Sequence, residues 1–194
     1  MGLAIGVLSS ENLMKKSMVI TVALFVAACI FSGKVSGKEA MEKIDVRSSA
    51  FSEGERIPSD FTCEGADMSP PIEWSGVPAR AQSIAILVDD PDAPAGDWVH
   101  WLAYDLPPSL TRLPAGIPDG GRLPSGGSQG RSDFGSLGYG GPCPPSGTHR
   151  YFFKIYALDE VLHLKPGVTK KGLLKAMEGH VLAEGRLTGT YERS

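Results

Sequence analysis

The apolar residues of this chain follow patterns that predict β-strands over most of its length. Residues 83–88, SIAILV, form an almost continuous apolar run, which is typical of a strand covered on both faces. Further strands are predicted at residues 41–47, 98–106, 149–158 and 186–191. These runs predict a mostly β domain with largely antiparallel pairing.

Only the end of the chain shows helical spacing. Thr169 is a suitable N-cap, and four apolar residues follow at the spacing of one helix face: Leu173, Leu174, Met177 and Val181. We therefore expect a helix over residues 169–183 that is ended by Gly185, with His180 packed on its apolar face.

The composition agrees with a turn-rich β protein of one domain. The 194 residues include 24 glycines and 15 prolines, which argues against a helical bundle. Residues 107–148 are especially dense in Gly, Pro and Ser, and a segment of that length is usually functional or covered by short elements. A net charge of −3 gives no electrostatic signal for nucleic acid, so we expect no nucleic-acid partner.

The N-terminus has the layout of a secretory signal peptide over residues 1–37. From Met14, two lysines precede an apolar run over residues 18–31, which is too short for a comfortable transmembrane span. Residues 1–13 are interpreted as an upstream extension before the natural start, and cleavage is expected near Gly37. This layout predicts a periplasmic or secreted protein.

The three cysteines are interpreted together with this export prediction. An alternative to soluble export is a lipoprotein anchored through Cys29, although apolar residues continue beyond that position. Once the leader is removed, Cys63 and Cys143 remain as an even pair in an oxidising compartment, which predicts a disulfide. The alternative is two separate buried thiols that pack as small apolar side chains.

Candidate chemistry is concentrated in two stretches, DDPDAPAGDWVHW and HRY. Because residues two apart share a strand face, His149 and Tyr151 point the same way, and His100 is expected on the face of Leu102 and Tyr104. If the strands around the first stretch are neighbours, Asp90 lies close to His100 at one edge of a sheet. Each residue also has an ordinary structural explanation, since aspartates beside prolines often bond their own turn.

Metal binding and nucleophilic catalysis find little support in the sequence. Zinc lacks its usual Cys-x-x-Cys or His-Glu-x-x-His spacing, and DDPDAP lacks the later glycine and glutamate of a calcium loop. There is no Gly-x-Ser-x-Gly elbow, and the segment SGGSQGRSDFG lacks the ending of a phosphate-binding loop. No catalytic residue, metal or cofactor is therefore predicted.

Taken together, these motifs resemble the phosphatidylethanolamine-binding protein (PEBP) family, and in particular its bacterial branch, the Raf-kinase-inhibitor-like proteins of the YbhB/YbcL type. The resemblance rests on DDPDAP followed by WVHW, on GPCPPSGTHRYFFKIYALD, and on FTCEGADMSPPIEWSGVP and RSDFGSLGYGGP. It covers residues 41–192 and implies a sandwich of two antiparallel sheets with a C-terminal helix. Eukaryotic members tend to carry a second histidine where Val99 stands, so their kinase inhibition and phospholipid carriage are not transferred.

The resemblance also implies a small anion-binding cavity at one end of the sandwich. Four polar residues correspond to the cavity of the family: Asp90, His100, His149 and Tyr151. Two apolar residues correspond to its rim: Trp98 and Pro142. Arg150 is expected to turn to the opposite face, and Asp89 and Asp92 are expected to brace the turn.

Three functions are compatible with these residues. The first is an exported, non-enzymatic protein that binds a small anion: phosphate, a phosphorylated head group or a carboxylate. The second is an enzyme that uses the Asp/His/His/Tyr cluster for acid–base chemistry, since clustered titratable residues also serve catalysis. The third is a modulator of a protein partner, such as a protease or kinase, that acts through surface contacts. The late helix is expected either to cover the cavity or to mediate a homodimer.

Overall fold

The chain forms nine strands and one helix, and the helix precedes the last strand among the described residues. The computed structural model describes residues 1–2 and 41–194. Its strands are β1 (Glu42–Lys43), β2 (Asp45–Arg47), β3 (Ile72–Ser75), β4 (Ser83–Asp90), β5 (Trp98–Leu106), β6 (Arg112–Leu113), β7 (Ser128–Gln129), β8 (His149–Leu158) and β9 (Val181–Tyr191). A 3-10 turn lies at Ser59–Phe61, and the helix α1 spans Lys170–Met177.

Two sheets enclose the main core. The large sheet has the order β1-β9-β8-β4-β5-β7, and the small sheet has the order β2-β3-β6. Among the described strands, β1 and β9 pair in parallel and the other pairs are antiparallel. Apolar side chains from the inner faces of both sheets form one cluster, which includes Trp74, Ile86 and Phe153. The predicted mostly β fold of two sheets with one helix is confirmed.

Strand β4 is buried at all eight positions because both of its faces are covered. Its inner side chains face the small sheet, whereas Ala85 and Leu87 pack with Leu173 and Met177 of α1 on the outer face. The predicted strand over residues 83–88 is two residues longer and includes Asp89 and Asp90. Since α1 packs on the outer face, it does not cover the inner face, where the predicted cavity residues lie.

The opening strand predicted at residues 41–47 is divided between the two sheets. β1 joins the large sheet beside β9, and β2 joins the small sheet beside β3. Ile44 stands at the crossing, where its backbone N–H donates to the carbonyl of Glu184 at 2.8 Å. Its own carbonyl oxygen would stand 2.1 Å from a Cβ at Gly185, so glycine is required there for the strands to approach.

The helix is shorter than the sequence predicts. Thr169 is its N-cap, and its side chain accepts from the N–H of Gly172, but the helix ends at Met177. Gly179, with φ of +86°, turns the chain into β9, which pairs with β8 along its whole length. The sheet pairing therefore overrides the helical spacing. Gly185 lies within β9, and His180 lies in the turn, where its Nδ1 bonds Asp159 at 2.9 Å.

The predicted signal peptide falls almost wholly outside the described residues. Contacts divide the chain into Met1–Glu39 and Ala40–Ser194, and every element described above lies in the second unit. Within residues 1–2 and 41–194, no helix is long and apolar enough to cross a membrane.

Candidate functional site

A cavity of about 230 Å³ lies where the end of β4 meets the beginnings of β5 and β8. Antiparallel neighbours place these three ends at one edge of the large sheet. Three polar residues line it: Asp90, His100 and His149. The other lining residues give it mostly apolar walls: Ala93, Pro94, Ala95, Trp98, Phe134, Cys143, Pro144 and Pro145.

A larger groove of about 770 Å³ follows β1, β2 and β9. Acidic and basic residues of both signs line this groove, including Glu42, Lys43, Glu184 and Arg186. Because these charges are of both signs, the groove does not favour a ligand of either charge. The smaller cavity instead brings titratable side chains together within apolar walls. The smaller cavity is therefore the candidate functional site.

Asp90 is the centre of the polar end of the cavity. Nδ1 of His149 donates to its Oδ2 at 2.7 Å, and the backbone N–H of Asp92 donates to its Oδ1 at 2.8 Å. Asp90 is 3% exposed and His149 is 7% exposed, so the pair is shielded from water. A carboxylate can only accept, so it fixes the proton of His149 on Nδ1 and leaves Nε2 for a ligand.

His100 is directed into the cavity by a β-bulge in β5. Trp101 and Val99 pair with consecutive residues of β4, so His100 between them is an extra residue. Trp101 packs in the core between the sheets, and His100 turns to that same side. The prediction that His100 shares a face with Leu102 and Tyr104 is wrong, since those two pack on the outer face. Bulges often redirect a side chain beside a functional site.

The tautomer of His100 is also set by the protein. Its Nδ1 donates to the carbonyl oxygen of Gly140 at 2.6 Å, because a carbonyl can only accept. Burial lowers the pKa of His100, although the bond to Gly140 and the charge of Asp90 act in the opposite direction. In its neutral form, His100 therefore presents the lone pair of Nε2.

Tyr151 lies beneath His100 and completes the polar cluster. The two rings meet edge to face with centroids 5.1 Å apart. The Tyr151 hydroxyl is buried beside the carboxylate of Asp90. Burial, followed by the neighbouring charge of Asp90, raises the pKa of Tyr151, so its hydroxyl stays protonated and can donate. Tyr151 is not itself among the residues that line the cavity surface.

An aromatic wall closes one side of the cavity and was not identified from the sequence. The ring of Phe134 contacts Trp98 and His100 edge to face, with centroids 5.6 Å and 5.3 Å away. Asp133 holds this segment, since its N–H donates to the carbonyl of Val99 and its carboxylate accepts the N–H of Val99 at 2.7 Å. The sequence signal that could have identified this wall is Phe134 itself, an aromatic residue within a segment rich in Gly and Ser.

The loop between β4 and β5 is braced by ion pairs. The carboxylate of Asp92 accepts from the guanidinium of Arg150 at 2.8 and 2.7 Å, which agrees with the predicted roles of both residues. This contact lowers the pKa of Asp92 to about 2. Alternation turns Asp89 to the outer face, where Lys154 and Lys170 bind it, so a brace of the turn by Asp89 acts through Lys170, which also binds Asp97.

The predicted disulfide between Cys63 and Cys143 is confirmed, with Cα atoms 5.4 Å apart. Cys143 lines the cavity, but Pro142 does not, contrary to the prediction for the rim. The carbonyl of Pro142 accepts the N–H of Cys63 at 3.1 Å, which holds this residue against the 3-10 turn. Pro144 and Pro145, further along, supply the apolar rim instead.

Proteins similar to this chain include relatives from archaea and bacteria. A UPF0098 protein of Methanothermobacter thermautotrophicus is 54% identical over 150 residues, which are 77% of this chain and 99% of the relative. A UPF0098 protein of Pyrococcus horikoshii is 47% identical over 178 residues, which are 90% of this chain and 89% of the relative.

These relatives contradict the predicted periplasmic or secreted localisation. They come from archaea and bacteria and give no evidence of a signal peptide. The prediction of cleavage near Gly37 and its alternative, an anchor at Cys29, also fall on residues outside the described part of the chain. Export is therefore not inferred.

Solved structures extend the similarity to the fold. A PEBP homologue of Chlamydia trachomatis aligns with a TM-score of 0.73 and 42% identity, covering 78% of this chain and 99% of that one. Escherichia coli YbcL, described as a member of the mammalian PEBP family, aligns with a TM-score of 0.71 and 34% identity, covering 80% and 100%. The sequence model described as phosphatidylethanolamine-binding protein matches residues 47–192. The chain therefore belongs to the phosphatidylethanolamine-binding protein family.

Proposed function

We propose that this protein binds a small oxyanion, of phosphate or carboxylate type, in the cavity between β4, β5 and β8. The observation that carries the proposal is the Asp90–His149 pair beside His100, with both imidazole Nδ1 atoms engaged by the protein. Both Nε2 atoms are thereby left for a ligand. The hydroxyl of Tyr151 lies beside Asp90 and its ring packs against His100, so Tyr151 supports the polar end of the cavity from behind.

The tautomers couple anion binding to a proton. A neutral imidazole with its proton on Nδ1 presents a lone pair at Nε2, which repels an oxyanion, and the charge of Asp90 adds to this repulsion. A second proton converts Nε2 into a charged donor, and charge-assisted hydrogen bonds are the stronger ones. The affinity for an anion should therefore fall as the pH rises through the histidine range.

The cavity restricts the ligand by size and polarity. A volume of about 230 Å³ is below the roughly 300–1,000 Å³ of cavities that hold drug-sized ligands. The polar groups lie at one end, and the walls contain Pro94, Trp98 and Phe134. These features favour a free anion or an anionic head with a short, weakly polar substituent.

Calorimetric titration with inorganic phosphate at about pH 5.5, 6.5 and 7.5, values that span the ordinary histidine pKa, tests the proposal. We expect the dissociation constant to rise with pH, and protons to be taken up on binding when buffers of different ionisation enthalpy are compared. The variant His100→Ala with His149→Ala is the control and should not bind. A pH-independent affinity, or equal binding by the double variant, would contradict the proposal.

A second candidate is acid–base catalysis by the same residues. It is favoured by the 2.7 Å hydrogen bond between Asp90 and His149 in a shielded cavity, an arrangement that also occurs in general-base catalysis. Turnover of a panel of phosphoesters and small acids, lost in His149→Ala, would support it. Modulation of a protein partner through surface contacts predicts instead that the double variant retains its effect on that partner.

A further inference from the structure

Four charged residues form a cluster behind the cavity, on the outer face of the large sheet. This outer cluster consists of Asp89, Asp97, Lys154 and Lys170. Nζ of Lys154 and Nζ of Lys170 each donate to Oδ2 of Asp89 at 2.7 Å, and Nζ of Lys170 also donates to Oδ2 of Asp97. Asp89 is fully buried, and the side chains of Lys154 and Lys170 are 25% and 20% exposed.

The position of Lys170 is explained by these contacts and not by its helix. It is the first residue of α1, where the partial positive charge of the helix N-terminus disfavours a cation, and the first turn contains no acidic residue. Burial opposes the charge of Lys170, but the bonds to Asp89 and Asp97 outweigh it and raise its pKa. A local preference is therefore overridden by tertiary contacts.

The two carboxylates that Lys170 joins stand next to cavity residues. Asp89 precedes Asp90, and Asp97 precedes Trp98, which pairs with Asp90 across the two strands. Because side chains alternate along β4, Asp89 points outward while Asp90 points toward the cavity. Asp97, just before β5, reaches Lys170 on the same outer side. Lys170 thus bridges both ends of the loop over residues 91–96, which supplies one wall of the cavity.

We propose that Lys170 is a positioning residue of the cavity, which fixes the β4–β5 loop by bridging Asp89 and Asp97. The proposal rests on the proposed function, because the property that Lys170 tunes is anion affinity. Lys154 provides an internal comparison: it binds Asp89 as Lys170 does but does not reach Asp97. It therefore stabilises the strand without holding the far end of the loop.

The test compares Lys170→Met with Lys154→Met, at a temperature where both are folded. Both remove one ammonium from Asp89, so both should lower the urea midpoint. Only Lys170→Met should weaken the binding of inorganic phosphate, by about tenfold, since small displacements of a preorganised site have large effects. Asp97→Asn should weaken binding as Lys170→Met does, and Lys170→Arg should restore part of it. Lys171→Met, at the next and exposed position, is the matched control.

Amide hydrogen exchange of residues 91–99 gives a readout that needs no ligand. Exchange in this segment should rise in Lys170→Met and in Asp97→Asn and stay unchanged in Lys154→Met. If exchange is faster in Lys170→Met but the wild type does not bind phosphate, the proposed function is refuted and the loop-fixing role of Lys170 stands. Unchanged exchange in Lys170→Met, or equal loss of binding in Lys154→Met, would overturn the role of Lys170.

Discussion

Asp89 and Asp90 are consecutive, equally hidden from water, and surrounded differently. Asp90 faces the cavity and binds His149, whereas Asp89 faces outward and binds Lys154 and Lys170. An imidazole gains and loses its proton near neutral pH, but an amine keeps its proton there. The alternation of one strand therefore places a carboxylate that orients an imidazole of the cavity back to back with a carboxylate that binds two lysine side chains on the outer face.

Because their partners differ, Asp89 and Asp90 are expected to contribute differently to stability and to ligand binding. The contacts of Asp89 join β4, β8 and α1, so Asp89 stabilises the sheet and helix and acts on the cavity only through Lys170. The contacts of Asp90 orient one imidazole, so its main consequence is the chemistry of the cavity. Four changes test this separation.

The largest effect is expected for Asp89→Asn compared with Asp90→Asn. Removal of the Asp89 charge leaves the partly buried ammonium of Lys154 without a carboxylate and leaves Lys170 with Asp97 alone, which should lower the free energy of unfolding by roughly 3 kcal/mol. Asp90→Asn should cost about 1 kcal/mol, because its amide oxygen can still accept from His149. Urea unfolding at neutral pH measures both. Equal losses would show that the two faces do not differ in this way.

The Cys63–Cys143 disulfide stabilises the side of the molecule that carries the cavity. Cys63→Ser with Cys143→Ser should lower the free energy of unfolding by about 2–4 kcal/mol, since the bond closes a loop with a sequence separation of 80 residues. Phosphate affinity should also fall, because Cys143 lines the cavity. Unfolding of the double variant without reductant is compared with that of the oxidised wild type. An unchanged midpoint would contradict the prediction.

Replacement of the partner of Asp90 should affect binding more than folding. His149→Gln removes the imidazole whose Nε2 is left for a ligand, so phosphate affinity at about pH 6 should fall at least tenfold, which corresponds to about 1.4 kcal/mol. The free energy of unfolding should change by less than that amount. Calorimetry and urea unfolding of the same preparation give both values. The reverse ranking would make His149 a structural residue.

The smallest effect is expected at Asp92, on the surface of the same turn. Arg150 lowers the pKa of Asp92 from 3.8 to about 2, so the ionised form is the one that the fold favours. The contribution is complete above the ordinary pKa and is lost as the pH falls through about 2. The free energy of unfolding of Asp92→Asn should therefore fall less than that of the wild type when the pH is lowered from about 4 to 2. An identical acid transition in both proteins would contradict this account.

Much of the fold could be predicted because burial patterns are local. The run SIAILV predicts a doubly covered strand, and all eight residues of β4 are buried. The start of the helix could be predicted, but its end could not. The apolar spacing continues through Val181 and suits a helix, yet Val181 pairs with β8 as the first residue of β9. The division of the opening strand at Ile44 also depends on which neighbours each half finds.

The sequence by itself determined the family, the two-sheet class and the stretches that supply the cavity, because these depend on residue type, order and alternation. Tertiary structure decided which imidazole binds Asp90. A bulge at His100 breaks the alternation of β5, so that His100 bonds the carbonyl of Gly140 while His149 bonds Asp90. It also decided that Phe134 forms a wall and that Lys170 reaches two carboxylates. These contacts join residues far apart in the chain, and no local pattern encodes which distant groups meet.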